Sequence, residues 1–255
     1  MSRTAKKILY GLVWNGLALL VLVLVYLVWF RPSVSCTDGA RNGGEEAVDC
    51  GGPCVSCELT NLELLNVFEE PRVFPLASGR AAIWGQVSNP NIQFGADSFS
   101  YEFVVRDRTG AVLERIPGVS RIYPFETRSL IAVSSEALAR DVAEVELVTS
   151  DPAWRSAREL PPPSLQVLSD FTMTVAGQSI RVSGSVRNQG GEHVQKVRII
   201  AVLVDRTGTD LLPGQTVVSD LGGFRDLPFV VQLPADAVTA LRLDPEATRV
   251  VAQAE

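Results

Sequence analysis

Four cysteines, Cys36, Cys50, Cys54 and Cys57, fall within 22 residues of each other, and the chain has no others. Thiols at such spacing do one of three things: crosslink as disulfides, ligate zinc as thiolates, or exchange electrons through a Cys-x-x-Cys pair. Cys54-Val-Ser-Cys57 has the redox spacing, but no strand-then-helix pattern of a thioredoxin surrounds it. Zinc ribbons bring together two Cys-x2-Cys knuckles, and this stretch has one. A Gly-rich segment this short cannot bury a core of its own, so two structural disulfides are the preferred reading, with three pairings open. Between the cysteines lie Asp38, Asn42, Glu45, Glu46 and Asp49. Such oxygen donors suit a small calcium loop through Asp38, Asn42, Glu45 and Asp49. Asp and Asn beside Gly equally suit turns, which are preferred because the spacing is not that of an EF-hand.

Elsewhere, residues with catalytic chemistry are sparse. His193 is the single histidine and sits in Gln189-Gly-Gly-Glu-His193, with no nucleophile elbow around it. Gly190-Gly191 and Gly222-Gly223 do not open helices, so no phosphate loop is expected. The adjacent carboxylates Glu69 and Glu70 are expected on opposite faces of a strand. Net charge is −6, and Lys196 is the lone lysine beyond the first seven residues, which argues against nucleic acid as a partner. The expectation is a protein with no catalytic residues and no resident cofactor other than the calcium considered above.

The elements that position these residues begin with residues 8–30, an uncharged run of 23. As a helix it would extend about 35 Å, enough to cross a bilayer core of about 30 Å. Trp14 lies toward one end, and Tyr26, Trp29 and Phe30 mark the other, as interfacial aromatics do. The run is longer than a signal-peptide core and ends in Trp29-Phe30-Arg31-Pro32, a poor cleavage site, so it reads as an uncleaved signal anchor. Arg3, Lys6 and Lys7 precede it, whereas all 29 acidic residues follow it. The positive-inside rule then leaves residues 1–7 as a cytoplasmic tail and exports everything after the span. Asn15 is its strongly polar residue, tolerated or bonded to a partner helix.

The cysteine stretch resembles a small motif of bacterial surface and secreted proteins, C-x-D-G-x-x-N-x-x-E-x-x-x-D-C-G-G-x-C-x-x-C. It matches at Cys36, Asp38, Gly39, Asn42, Glu45, Asp49, Cys50, Gly51, Gly52, Cys54 and Cys57. The resemblance implies an exported bacterial protein and an accessory module without catalysis of its own.

Beyond the cysteines the chain is a duplication. Leu62-Glu-Leu64-Leu65-Asn-Val-Phe68 recurs as Leu165-Gln-Val167-Leu168-Ser-Asp-Phe171, and Gly85-Gln-Val87-Ser-Asn89 as Gly184-Ser-Val186-Arg-Asn188. Asp107-Arg-Thr-Gly110 returns unchanged as Asp205-Arg-Thr-Gly208, and Ile116-Pro-Gly118 returns as Leu212-Pro-Gly214. Ser134-Ser-Glu-Ala-Leu138 parallels Pro234-Ala-Asp-Ala-Val238, and each is expected to form one helical turn. Period-two runs such as Phe99-x-Tyr101-x-Phe103-x-Val105 predict half-buried antiparallel strands, and Asp-Arg-Thr-Gly predicts a hairpin turn closed by Gly with positive φ. About seven strands per copy would suit an immunoglobulin-like sandwich.

Both copies also resemble the FxLyD-type domain, an immunoglobulin-like module of exported prokaryotic proteins, through G-x-V-x-N, Phe103-Val-Val-Arg-Asp107 and Pro124-Phe-Glu-Thr127. The second copy departs from that pattern, with Ala201-Val-Leu203-Val-Asp205 in place of the Phe and Tyr positions. The resemblance implies binding or spacing rather than chemistry.

The expected order is a tail (1–7), a transmembrane anchor (8–30) and a Cys-rich neck (31–58). Sandwich 1 (59–150), a stiff Pro-rich linker (151–163) and sandwich 2 (164–255) follow. The expected fold class is therefore all-β, with two tandem sandwiches after a membrane helix and a disulfide-rich neck. The expected function is an anchored, non-enzymatic scaffold outside the membrane, with a protein partner or a cell-surface ligand. A subunit of a secretion, pilus or envelope complex is one alternative, and a disulfide oxidoreductase using Cys54 and Cys57 is another.

Overall fold

The computed structural model describes residues 3–29, 35–177, 179–234 and 243–255. The chain divides into two compact units, residues 1–62 and 63–255.

The first unit opens with helix α1 (Arg3–Trp29). Its segment Lys6–Tyr26 has a mean hydropathy of 2.4 and buries none of its surface, so one helix is long and apolar enough to cross a membrane. The Asn15 side-chain amide donates to the Gly11 carbonyl 2.8 Å away, which satisfies that donor within the helix. The cysteine stretch follows and ends in the one-turn helix α2 (Cys57–Thr60).

The second unit is all β. In sandwich 1, strands β1 (Asn66–Pro75), β2 (Arg80–Ser88) and β5 (Thr127–Leu138) form one antiparallel sheet in the order β1-β2-β5. Strands β4 (Val112–Ile122), β3 (Phe94–Arg106) and β6 (Glu144–Ser150) form the facing one in the order β4-β3-β6. Inward positions alternate as expected: Ile83 and Leu130 from one sheet meet Phe99, Phe103 and Ile122 from the other.

Sandwich 2 repeats the plan. Strands β8 (Leu165–Val167) and β9 (Thr172–Ala176) lie in turn along β10 (Ser179–Asn188), whose other neighbour is β13 (Asp226–Pro234). The facing sheet is β12 (Asp210–Leu221), β11 (Val194–Asp205) and β14 (Leu243–Ala254), in the order β12-β11-β14.

Each copy has about seven strands, as expected, and three other expectations need correction. After β6 the chain of sandwich 1 stays on the same edge of β3. It resumes there as β7 (Trp154–Ser156): Tyr101 faces Thr149, and Ala96 faces Trp154, in one register. The linker is therefore not a free spacer along its length. Trp154 packs against the core of sandwich 1 and Leu160 is buried, so these apolar side chains dock the stretch ahead of Pro161–Pro163.

Ser134–Leu138 is not a helical turn but the irregular end of β5, where the register against β2 jumps from Val133 to Leu138. Its parallel beyond Pro234 lies outside the described residues. Finally, Ile116-Pro-Gly118 and Leu212-Pro-Gly214 are not structural equivalents. Val105 faces Glu114 whereas its counterpart Leu203 faces Leu212, so the two motifs sit two residues apart on the ladder.

The hairpin turns form as expected. Gly110 and Gly208 both have φ of 84°. Asp107 and Asp205 each accept from the N–H groups two and four residues on, at 2.8–3.0 Å. Hydrogen bonds from the Thr109 hydroxyl and nearby backbone hold the Asp107 carboxyl below the usual carboxylate range.

Candidate functional site

In the neck, Cys36 pairs with Cys54 and Cys50 with Cys57. A redox Cys-x-x-Cys must close on itself, and here Cys54 and Cys57 each belong to a different crosslink. Oxidised sulfurs also offer no thiolate to zinc. Glu45, buried at 5% exposure, is the organising acid: its Oε2 accepts the N–H groups of Asn42 (3.1 Å) and Asp49 (3.3 Å). Asp49 accepts the Gly39 N–H with both oxygens, at 3.0 and 3.1 Å. Asp38 accepts from Ala40 N–H and from the Asn42 amide, and the Asn42 bond leads the lowering of its carboxyl below the usual value.

The acids of the motif thus hold its turns. Among the described residues, Asp38, Glu45 and Asp49 do not converge within 4.8 Å of one another. The group that does is Cys36, Glu45 and Cys54, whose sulfurs share a disulfide. The Gly in Cys50-Gly-Gly is required: a Cβ on Gly52 would lie 2.2 Å from the Gly44 carbonyl oxygen.

Within the second unit the two sandwiches share a core. Phe74, Ala82, Trp84, Tyr123, Ile131 and Leu160 of the first copy belong to the same buried cluster as Ile199, Leu203 and Leu233 of the second. Arg128 lies at the centre with 2% exposure; it donates to the Ala254 carbonyl at 2.9 Å and pairs with Glu126 at 3.2 Å. Burial pushes its guanidinium pKa down and that of the Glu126 carboxyl up, while each partner's charge opposes the effect on the other. Gln253 donates to the Thr127 carbonyl at 3.2 Å. Asp210, on β12, bridges Arg249 of its own sandwich and Arg72 of the other, and Arg72 stacks over Trp84 at 5.4 Å. Trp84 Nε1, Arg128 Nε and Gln253 Oε1 are buried there without partners. Such atoms each cost about 1–3 kcal/mol, which the shared apolar core must offset.

These junction residues were not singled out from sequence. The available signal was Arg128 itself, a charge at the start of the apolar run Leu130-Ile131-Ala132-Val133.

His193 is half exposed, 3.7 Å from Asp220. It shares a cleft of about 420 Å³ with Arg121, Tyr123, Pro161–Pro163 and Glu255. Arg121 is occupied by Asp97 at 2.7 Å. A larger groove, about 950 Å³, runs between β1 and β6 and is lined by both Glu69 and Glu70. β1 slips register against β2 at Val67/Glu69 and again at Glu69/Arg72 along this stretch.

No protein-family model and no curated protein matches the chain. Solved structures similar to parts of it include a red sea bream transglutaminase (10% identity, TM-score 0.23, 75% of this chain and 31% of that one). A family 2 β-glucuronidase is similar at 12% identity and TM-score 0.22, over 81% of this chain and 25% of that one. The tandem CBM22 domains of Paenibacillus barcinonensis Xyn10C are similar at 10% identity and TM-score 0.16, over 76% and 90%. The chain thus spans a third or less of the first two, and TM-scores this low carry no argument about function.

Proposed function

We propose that the protein is a non-catalytic, single-pass membrane scaffold that presents a fused pair of immunoglobulin-like sandwiches outside the membrane to a protein partner or surface ligand. The observation that carries this reading is the junction. A buried arginine and a shared apolar core fix two binding-type modules as one body, an arrangement that presents surfaces in constant register. The outward-facing apolar helix supplies the anchor, and Arg3, Lys6 and Lys7 favour a cytoplasmic N-terminus. The oxidised neck suits the exported side. The resemblance of the neck to a bacterial surface-protein motif and of the sandwiches to FxLyD-type domains points the same way.

The test is crosslinking of the full chain in its native membrane, with residues 8–30 either intact or replaced by an unrelated apolar span. The same captured partners are expected from both. Loss of capture on replacement would overturn the scaffold reading and favour a membrane-complex subunit that recognises its neighbours through the helix. Protease treatment of sealed cells should cut within residues 63–255 and spare the N-terminus; the reverse pattern would overturn the orientation.

A further inference from the structure

β6 pairs with β3 along one side, and among the described residues no strand pairs with its other side. An open strand edge is a template for another strand, and proteins usually guard it with proline, bulges or short length. The other edges of both sandwiches are guarded in this way. Proline interrupts β1 (Pro71), β4 (Pro117), β12 (Pro213), β13 (Pro228) and β14 (Pro245). β5 breaks register near its end, and the edge formed by β8 and β9 is split in two.

Within its own length β6 has neither proline nor bulge; its edge is interrupted only beyond it, at Pro152, before β7 continues along β3. It runs seven residues without proline or lysine, and its ladder is unbroken from Glu144–Arg106 to Ser150–Ser100. Its length corresponds to about 23 Å of template.

The groove beside this edge is lined by both apolar and acidic side chains. Val67, Phe68 and Val145 line it, with Phe68 58% exposed, and so do Glu69, Glu70, Glu144 and Glu146. Glu69 is paired with Arg72 and Glu146 with Arg106, at the groove's margins. Among the described residues, Glu70 and Glu144 are in no ion pair. A strand carrying lysine or arginine alternating with apolar residues matches this lining: apolar side chains meet Val67, Phe68 and Val145, cations meet the glutamates, and backbone groups complete the β6 edge. A second copy is disfavoured, because pairing β6 with β6 would bring two sets of glutamates into one groove.

We propose that the groove between β1 and β6 binds an extended, basic segment of a partner protein, added as a strand to β6. This gives the scaffold reading a partner chemistry and rests on that reading, but its test does not depend on the anchor swap.

The full chain in zwitterionic lipid nanodiscs is titrated with the octapeptide (Lys-Val)4, with (Glu-Val)4, and with (Lys-Val)4 N-methylated at alternate amides. Binding of (Lys-Val)4 should slow amide hydrogen exchange across residues 144–150 at least tenfold, while the other two peptides leave it unchanged. The variant Glu70→Lys/Glu144→Lys should weaken (Lys-Val)4 at least tenfold; if that variant does not fold, the N-methylated peptide still tests strand addition on the native chain. No slowing at residues 144–150 at millimolar peptide would overturn the proposal. So would equal binding of (Glu-Val)4 or of the N-methylated peptide. Protection of residues 144–150 that rises with protein concentration alone would also overturn it, in favour of a second copy.

Discussion

The two sandwiches share what holds a fold together and differ in what their edges do. In both copies an asparagine at the end of the second strand is buried at 1% exposure. Asn89 donates to the carbonyls of Phe94 (2.7 Å) and Tyr123 (3.0 Å), and Asn188 donates to those of Glu192 (2.6 Å) and Gly222 (3.3 Å). Each ties a loop between sheets to a neighbouring turn. At that turn both copies place an exposed phenylalanine in a left-handed conformation, Phe125 at φ 54° and Phe224 at φ 53°. Their N–H groups donate to the Asn91 and Gly190 carbonyls, each at 3.0 Å.

Gly85 and Gly184 make room in the same way, since a Cβ would strike Phe103 at 2.9 Å or Phe229 at 2.8 Å. The differences lie at the margins. Copy 1 leaves β6 open beside an acidic groove, whereas the end of β14 is occupied by the junction. Duplication thus preserved the buried polar ties and freed the edges to diverge.

The sharpest way to break this pairing is at the junction. Arg128→Ala removes the charge that Glu126 and the Ala254 carbonyl depend on, and should cost about 3–5 kcal/mol in urea unfolding. It should also separate one cooperative transition into two; an unchanged single transition would show that the apolar cluster alone fuses the copies.

Next in size, Asn89→Ala strands two buried carbonyls and should cost about 2 kcal/mol by the same measurement, and Asn188→Ala, whose carbonyl partners are only part-buried, about 1 kcal/mol. A loss at Asn188 larger than that at Asn89 would show that burial of the partner carbonyls does not set the strength of the tie.

The smallest effect concerns Glu114, whose ladder counterpart in copy 2 is the buried Leu212. Its carboxylate accepts the N–H groups of Ser135, Glu136 and Ala137 at 3.0–3.1 Å, and the hydroxyls of Ser134 and Ser135. Burial opposes its charge, but the serine and backbone hydrogen bonds outweigh that and hold its pKa at about 2. A depressed carboxyl stabilises the fold above its unfolded value and loses that contribution as pH falls. Glu114→Gln should therefore lower stability by on the order of 1 kcal/mol at pH 7, after discounting for solvent screening, and by progressively less between pH 4.5 and 2. A mutant deficit that stays constant across that window would refute the assignment.

Much of this architecture is legible in the chain itself, because it rests on local chemistry. The uncharged run 8–30 reads as a membrane helix from length and composition. The period-two runs announce sandwich strands, and Asp-Arg-Thr-Gly encodes its own turn through an aspartate that caps the following N–H groups. Local chemistry also misled where tertiary partners decide. Ser134–Leu138 carries helix-start signals, yet Glu114 from another strand captures its N–H groups and holds it in a bulged strand. The prolines of 161–163 suggested a spacer, while Trp154 and Leu160 found a core to enter.

The composition and spacing of residues therefore determined an apolar helix long enough to cross a membrane, the oxidisable neck and the duplicated β pattern, since each depends on neighbours a few positions apart. Only the tertiary structure decided which cysteines pair, that Arg128 seals two copies into one body, and that β6 is left open beside four glutamates. Those outcomes depend on which residues far apart in sequence arrive together, and burial acts on that proximity rather than on order along the chain.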